Sequence, residues 1–269
     1  MGNTNTFYIN LDARTDRRLH IEAQLARSGV SAERFKAVTP ADIDPAHIAI
    51  GQRNGVSPGE LACSLSHRRI WELIIARGLT GALIIEDDAL LSSRLNEITA
   101  SPDLHTRVDA LHLEARLSRV ALGGALPGEG PALHRLLDTC LGTCAYYITT
   151  EFAARLLARP DLDLYPIDKL LFGRQGGLIY EARIYQCIPG LAAQLGMYSD
   201  GSASAARSDL TPIRQSRQRR HRSLRGRLDA IATGWRYFAR SVVAFAPSGE
   251  LFRARRRPLP LADDITAQL

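Results

Sequence analysis

The sequence contains no CxxC pair, no GxxxxGK[ST] phosphate loop, no internal repeat and no apolar run approaching the ~20 residues that span a bilayer. These absences argue against a zinc ribbon, a P-loop nucleotidase, a solenoid and a transmembrane helix, respectively. The first residues, Met1 to Phe7, lack both a basic segment and an apolar one, so no secretory signal is expected and a cytoplasmic location is. Four cysteines stand at 63, 140, 144 and 187 among apolar or small residues. Buried free thiols are expected, because His134-x5-Cys140-x3-Cys144 matches no standard zinc spacing. The 269 residues are 45% hydrophobic, enough for a real core in one large domain or a domain with an appendage. The net charge of +6 is unevenly placed, with much of it between Arg207 and Arg227.

What is present centres on Gly81-Ala-Leu-Ile-Ile-Glu-Asp-Asp88. Ala82 to Ile85 form a short unbroken apolar run, the pattern of a strand buried on both faces. It stops at Glu86, Asp87 and Asp88. In an extended backbone Glu86 and Asp88 would point one way and Asp87 the other. Like charges at the mouth of an apolar strand repel unless a cation lies between them. An oxygen-only donor set suits a hard divalent ion, Mn²⁺ or Mg²⁺, and the other reading is a solvated acidic turn.

Thr6 to Leu11 reads as a first strand, followed by a helix capped by Thr15 or Asp16 and stopped by Gly29. A strand that ends in polar residues before a helix is the usual construction of a nucleotide site in an open α/β sheet. Arg14, Arg17 and Arg18 suit phosphates or an acidic sugar nucleotide, although arginines in a first turn oppose the helix dipole. Glu33 to Val38 is a second strand, and Thr39 to Val56 a surface loop with one helical turn at Pro45–Ile48. Ser57-Pro-Gly-Glu60 opens a helix over Leu61–Arg77, placing Ser64, His67, Arg68 and Trp71 on one face. His67 is readable as a structural histidine or as a ligand. Further strands are expected over Val108–Glu114, Thr143–Thr149 and Ile184–Ile188, with helical pieces over Arg94–Arg107 and Glu151–Ala158. Gly123 to Pro131 reads as a Gly/Pro loop. Asp168, after Pro166, opens a short helix.

From Ser202 the composition changes. Eight arginines (207, 214, 217, 219, 220, 222, 225, 227) precede an amphipathic piece with Leu228, Ile231, Trp235, Phe238, Val242, Val243 and Phe245. Basic residues followed by aromatic and apolar ones suit a helix lying on an anionic membrane surface. A core-docking helix on a plain tail is the structural alternative. Nucleic acid is disfavoured, because no aromatic residues are interleaved with the arginines.

Several stretches together resemble glycosyltransferase family 25, the lipopolysaccharide and lipooligosaccharide glycosyltransferases. They are Phe7–Asp12 with Arg14, Asp16, Arg17 and Arg18, then Glu33–Val38, Gly59–Cys63 with Ser66, His67 and Trp71, Leu83–Asp88, Leu113–Glu114, Gly142–Tyr146 and Pro166–Asp168. The matches run in order over residues 6 to 190. The resemblance implies a GT-A-like α/β nucleotide-sugar-binding domain over 1–201 with a mostly parallel central sheet; the basic, amphipathic helical extension over 202–269 is read from its composition and has no counterpart in the matched motifs. It implies transfer of galactose from UDP-galactose to a saccharide acceptor, assisted by Mn²⁺ or Mg²⁺; inversion is the mechanism that fits both this and the residue-level reading, and the basic, amphipathic tail suits an acceptor lipid-linked at the inner face of the membrane. Glu86 and Asp88 would hold the ion in a DxD-like element. Asn10, Asp12, Arg14, Arg17, Ser66, His67, Glu86 and Asp87 would bind the nucleotide sugar. Asp168 is the first choice for the base, and Glu114 the second. The opposing reading is a non-catalytic membrane- or nucleic-acid-binding protein on a degenerate transferase domain.

Overall fold

The computed structural model describes residues 5–197, apart from 102, 117 and 129, and residues 224–269; for 224–232 only the backbone is described. Strands β1 (Thr6–Asn10) and β3 (Gly81–Glu86) lie side by side and parallel, and β2 (Glu33–Lys36) flanks β1. Side chains alternate across these strands. Phe7, Ile9, Ala82 and Ile84 pack on one face against Ile70, Trp71 and Ile74 of helix α3 (Pro58–Ala76). Tyr8, Leu83 and Ile85 pack on the other against Ile21 and Leu25 of α1 (Thr15–Ser28). A sheet sandwiched between helices explains why the Ala82–Ile85 run has no polar gap. Each large side chain so buried stabilises by roughly 1.5–3 kcal/mol.

The remaining strands of the main sheet are β5 (Ala110–His112), β6 (Val120–Ala125), β7 (Ala132–Leu136), β8 (Ala145–Thr149), β9 (Ile184–Ile188) and β11 (Arg255–Arg257). Their order is β11-β6-β7-β9-β5-β8-β3-β1-β2. Strands β1, β2, β3, β5, β6 and β9 run in one direction, while β7, β8 and β11 run against it. Most strands thus share one direction, but the pairing is mixed, because the reversed β7 and β8 sit between forward strands and the reversed β11 at the edge. A second, two-stranded sheet pairs β4 (Ala89–Leu91) with β10 (Ala192–Gln194).

Several boundaries move from their sequence expectations. Helix α3 begins at Pro58, where Ser57 and Glu60 form a reciprocal capping box, an arrangement worth about 1 kcal/mol. A second helix, α2 (Pro45–Arg53), replaces the single expected turn, with Asp44 accepting from Ala46 N at 2.8 Å. The Gly123–Pro131 loop is in part strand, since β6 and β7 form a hairpin; Gly123 and Gly124 weakened the strand pattern there. Gly29 ends α1 in the left-handed conformation as expected (φ +67°).

The expected appendage beyond residue 202 does not stay outside the body. Residues 198–223, with Arg207 to Arg222, lie outside the described residues. Helix Leu224–Phe245 follows, and its Phe245 is buried near Tyr180. The chain then adds β11 to the edge of the main sheet, buries Leu259, Ala262 and Ile265, and ties Asp264 to Ser92 and Ser93. No helix among the described residues is long and apolar enough to cross a membrane.

Candidate active site

The C-terminal ends of β1 and β3 open onto a cavity of about 430 Å³, lined by residues of α1, α3, the segment Gly142–Cys144 just before β8, a short helix at Ile167–Phe172 and the end of β10. Crevices outside the carboxyl ends of parallel strands are where open α/β sheets bind ligands, and this volume lies within the usual range for small-molecule sites.

The three carboxylates do not alternate. Strand β3 ends at Glu86, Asp87–Asp88 form a turn, and β4 follows at once, so all three side chains reach the same cavity. The turn, not an extended backbone, sets their directions. Asp87 is fixed to the scaffold: Asn10 Nδ2 donates to one of its oxygens at 2.7 Å and Arg17 Nη1 to the other at 3.1 Å. Asp88 accepts from Gln194 Nε2 at 3.1 Å through Oδ2, with Arg17 Nη2 at 3.5 Å. Its other oxygen, Oδ1, is buried and has no hydrogen-bond partner. Burial first, then the Glu86 charge, push the Asp88 carboxyl up to about 6. Burial also raises Asp87, against the lowering pull of Asn10 and Arg17. Glu86 is more open (side chain 23% exposed) and accepts from Thr143 Oγ1.

Helix α3 contributes Glu60, Cys63, Ser66 and His67, which its 3.6-residue period brings to one side. Ser66 Oγ is engaged with backbone, accepting from Val38 N at 2.9 Å and donating to Ala62 O. His67 is wholly buried; its Nδ1 lies 2.9 Å from the Tyr146 hydroxyl, which also accepts from Trp71 Nε1 at 3.1 Å. Asp168, 9% exposed, lines the cavity in the first turn of its helix, where Oδ1 accepts from Lys169 N at 2.8 Å.

Other residues expected at the site fall elsewhere. Asp12 pairs with Arg34 and Lys36 on the surface, and Arg14 pairs with Asp16; neither lines the cavity. Arg18 pairs with Glu22. Arg17 alone of the three arginines turns inward, which explains how the first turn of α1 accommodates it: its charge faces Asp87 and Asp88 instead of solvent. Asn10 is buried and acts on Asp87. Glu114 is fully buried behind the cavity wall. Its Oε1 accepts from Arg116 Nη1 at 3.0 Å, its Oε2 accepts from Cys144 N at 3.2 Å, and burial pushes the carboxyl up to about 7. Arg116, not Glu114, reaches the cavity. Gly142 stands over this pair at φ +115°, and a Cβ there would overlap both the Glu114 carboxylate and the Arg116 guanidinium. That close approach is the physical demand behind the glycine that precedes β8. Thr143 and Gln194 were not singled out from the sequence. Thr143 adjoins that glycine, a usable signal, whereas nothing local marks Gln194, which arrives from a strand 106 residues beyond Asp88. The expected free thiols are present: Cys140, Cys144 and Cys187 are buried, and Cys63 is half-buried.

Residues 3–120 match the family model for glycosyltransferase family 25 (LPS biosynthesis protein). The chain is 28% identical over 210 residues to the lacto-N-neotetraose biosynthesis glycosyltransferase LgtB of Neisseria gonorrhoeae, an alignment covering 69% of this chain and 72% of that one. It is 29% identical over 194 residues to procollagen galactosyltransferase 1 of Danio rerio, covering 64% of this chain but 31% of that longer protein. A crystal structure of a glycosyltransferase involved in glycosylation of the major capsid of PBCV-1 is a remote structural neighbour, with a TM-score of 0.37 at 11% identity, covering 75% of this chain and 94% of that one.

Proposed function

We infer that this chain, a glycosyltransferase of family 25, moves galactose from UDP-galactose to a saccharide acceptor in lipopolysaccharide or lipooligosaccharide synthesis, with inversion at the anomeric carbon. The observation that carries the reading is the turn at Asp87–Asp88, which gathers three carboxylates, a buried unpartnered Asp88 oxygen and Asp168 around one cavity. The names of the relatives support the sugar and the acceptor class.

A hard divalent ion fits the donor set. Asp88 Oδ1 lacks a partner, and its carboxyl is buried beside the Glu86 and Asp87 carboxylates, a repulsion that a cation would relieve. Asp88, with Glu86 beside it, would hold Mn²⁺ or Mg²⁺; when bound, such an ion supplies positive charge to the departing diphosphate. Arg17 locks Asp87 and Asp88 in place, and Asn10 fixes Asp87 from the other side. Asp168 accepts the proton of the acceptor hydroxyl as that oxygen bonds to the anomeric carbon. The bond from that carbon to the diphosphate breaks with its electron pair leaving on the diphosphate oxygen, and a single displacement inverts the centre.

The test is a thermal-shift and transfer screen of UDP-, GDP-, CMP- and dTDP-sugars with and without Mn²⁺. A ligand that binds only the folded state raises the melting temperature by an amount set by its concentration over Kd. A shift and turnover specific to UDP-galactose and dependent on the ion are expected. Equal response to another nucleotide sugar would overturn the donor assignment, and turnover unaffected by chelation would overturn the ion.

The acceptor is taken to be lipid-linked, with the chain held at an anionic membrane surface. Trp235, Phe238, Val243 and Phe252 are exposed, with exposed Arg236, Arg240 and Arg253 among them. Apolar side chains with cationic neighbours are what an interfacial helix presents. Co-sedimentation with phosphatidylglycerol vesicles is expected to fall several-fold in Trp235→Ser/Phe238→Ser and to weaken with salt; equal binding to neutral vesicles would refute the electrostatic part.

A further inference from the structure

Cys63 and His67 lie one turn apart on α3, and Glu86 closes β3 beside them. The Cys63 sulfur, a His67 ring nitrogen and a Glu86 carboxylate oxygen all fall within 4.8 Å of one another. The spacing of four on a helix puts the first two on one face. All three residues line the cavity.

A second observation points to a ligand. His67 is 0% exposed, yet its Nε2 has no hydrogen-bond partner, standing 3.5 Å from Glu86 Oε1. A buried polar nitrogen left unsatisfied keeps the full cost of its lost hydration. The other nitrogen is accounted for. Trp71 Nε1 can only donate, so the Tyr146 hydroxyl oxygen accepts from it, and a further lone pair can accept Nδ1–H of His67. That tautomer frees the Nε2 lone pair toward Glu86 and Cys63. A ring nitrogen held by an outer partner while the other is presented inward is the usual arrangement of a metal-binding histidine.

We propose that Cys63, His67 and Glu86 form a three-ligand site for Zn²⁺, distinct from the hard-ion position at Asp88, with its fourth position open to the cavity. One thiolate, one imidazole and one carboxylate suit a borderline-soft ion, whereas Mg²⁺ and Mn²⁺ prefer oxygen donors throughout. Ligand atoms around tetrahedral Zn²⁺ stand about 3.3–3.7 Å apart, so the set must contract by roughly 1 Å, within the reach of side-chain rotations at Cys63 and Glu86. Binding releases the Cys63 thiol proton to solvent as the sulfur–zinc bond forms, and the His67 proton stays on Nδ1; no electrons are exchanged. Glu86 is thereby committed to this ion, which leaves Asp88 as the principal carboxylate for a hard one. The site stands independently of the transfer reading, since the geometry would bind zinc whether or not a sugar is moved.

The test uses the full-length, metal-stripped protein titrated with Co²⁺ and then Zn²⁺. One equivalent of Co²⁺ is expected to give a thiolate-to-cobalt charge-transfer band with the intense visible absorption of four-coordinate cobalt, and one equivalent of Zn²⁺ should displace it. Excess Mg²⁺ should not. Cys63→Ser, nearly isosteric, should lose the band and weaken Zn²⁺ binding at least about 100-fold, beyond the 10- to 100-fold effect of outer partners. His67→Gln should weaken binding comparably, while Asp88→Asn should leave it unchanged. A missing band, a band that persists in Cys63→Ser because another cysteine supplies it, or wild-type zinc affinity in Cys63→Ser would each overturn the site. Should His67→Gln fail to fold, the Cys63→Ser spectrum decides alone.

Discussion

Asp88→Asn is expected to lower kcat/KM about 100- to 1000-fold while raising the melting temperature above pH 6. The loss follows from the proposed role of Asp88 in holding a hard ion beside the leaving diphosphate, where charge development is most sensitive to its surroundings. The gain follows from linkage. Burial and the Glu86 charge lift the folded-state Asp88 carboxyl from the ordinary 3.8 to about 6, so the folded protein binds this proton more tightly than the unfolded chain does. A group raised in this way lowers stability as pH rises from about 4 to about 6, and its full cost persists above that window. Asparagine carries no such charge. It should therefore stabilise by on the order of 1–3 kcal/mol at pH 7.5, a shift of roughly 2–8 °C, with the difference vanishing below about pH 4. Saturating Mn²⁺ should narrow the gap by stabilising the wild type alone. Melting curves across pH, with and without the ion, decide the matter. A lower melting temperature for Asp88→Asn at pH 7.5 would mean that Arg17 and Gln194 already compensate the charge in full.

Asp168→Asn is expected to reduce kcat by about 100- to 10,000-fold, the range that a positioned proton acceptor supplies. Binding of UDP-galactose should change less than about twofold, because the acidic turn, Arg17 and Asn10 remain in place. The fold should survive, since the amide oxygen of the substituted side chain can still accept from Lys169 N, the bond Asp168 makes at 2.8 Å. Glu114→Gln is the control. Glu114 sits behind the wall and acts on the cavity through Arg116. Retention of more than a tenth of the activity in Asp168→Asn would end its assignment as base. A larger loss in Glu114→Gln than in Asp168→Asn would transfer attention to the Arg116 side of the cavity.

The sequence by itself determined the elements with a strong local cause. The Ala82–Ile85 run carries the pattern of a strand with both faces covered, and packing against α1 and α3 covers them. Gly29 stops α1 because a left-handed residue there favours glycine, and Ser57 with Glu60 starts α3 because their side chains satisfy its first amide groups. The motif order over residues 6–190 carried the resemblance to glycosyltransferase family 25 and brought Glu86, Asp87, Asp88, His67 and Asp168 together in expectation; all five line one cavity. Tertiary structure decided the rest. A turn at Asp87–Asp88 overrode strand alternation, because β4 departs at once to pair with β10, and no pattern within the acidic run encodes that partner. Arg14, Arg17 and Arg18 are equivalent on a helical wheel only in part: the direction of α1 against the sheet sends Arg17 to the carboxylates and leaves Arg14 and Arg18 to surface pairs. Glu114 was credible at the end of a strand until Gly142 and Cys144 closed over it. Local chemistry is written in neighbours along the chain. Which side chain faces a cavity depends on neighbours across it, and for Asp88 these are Arg17 and Gln194, contributed by distant segments.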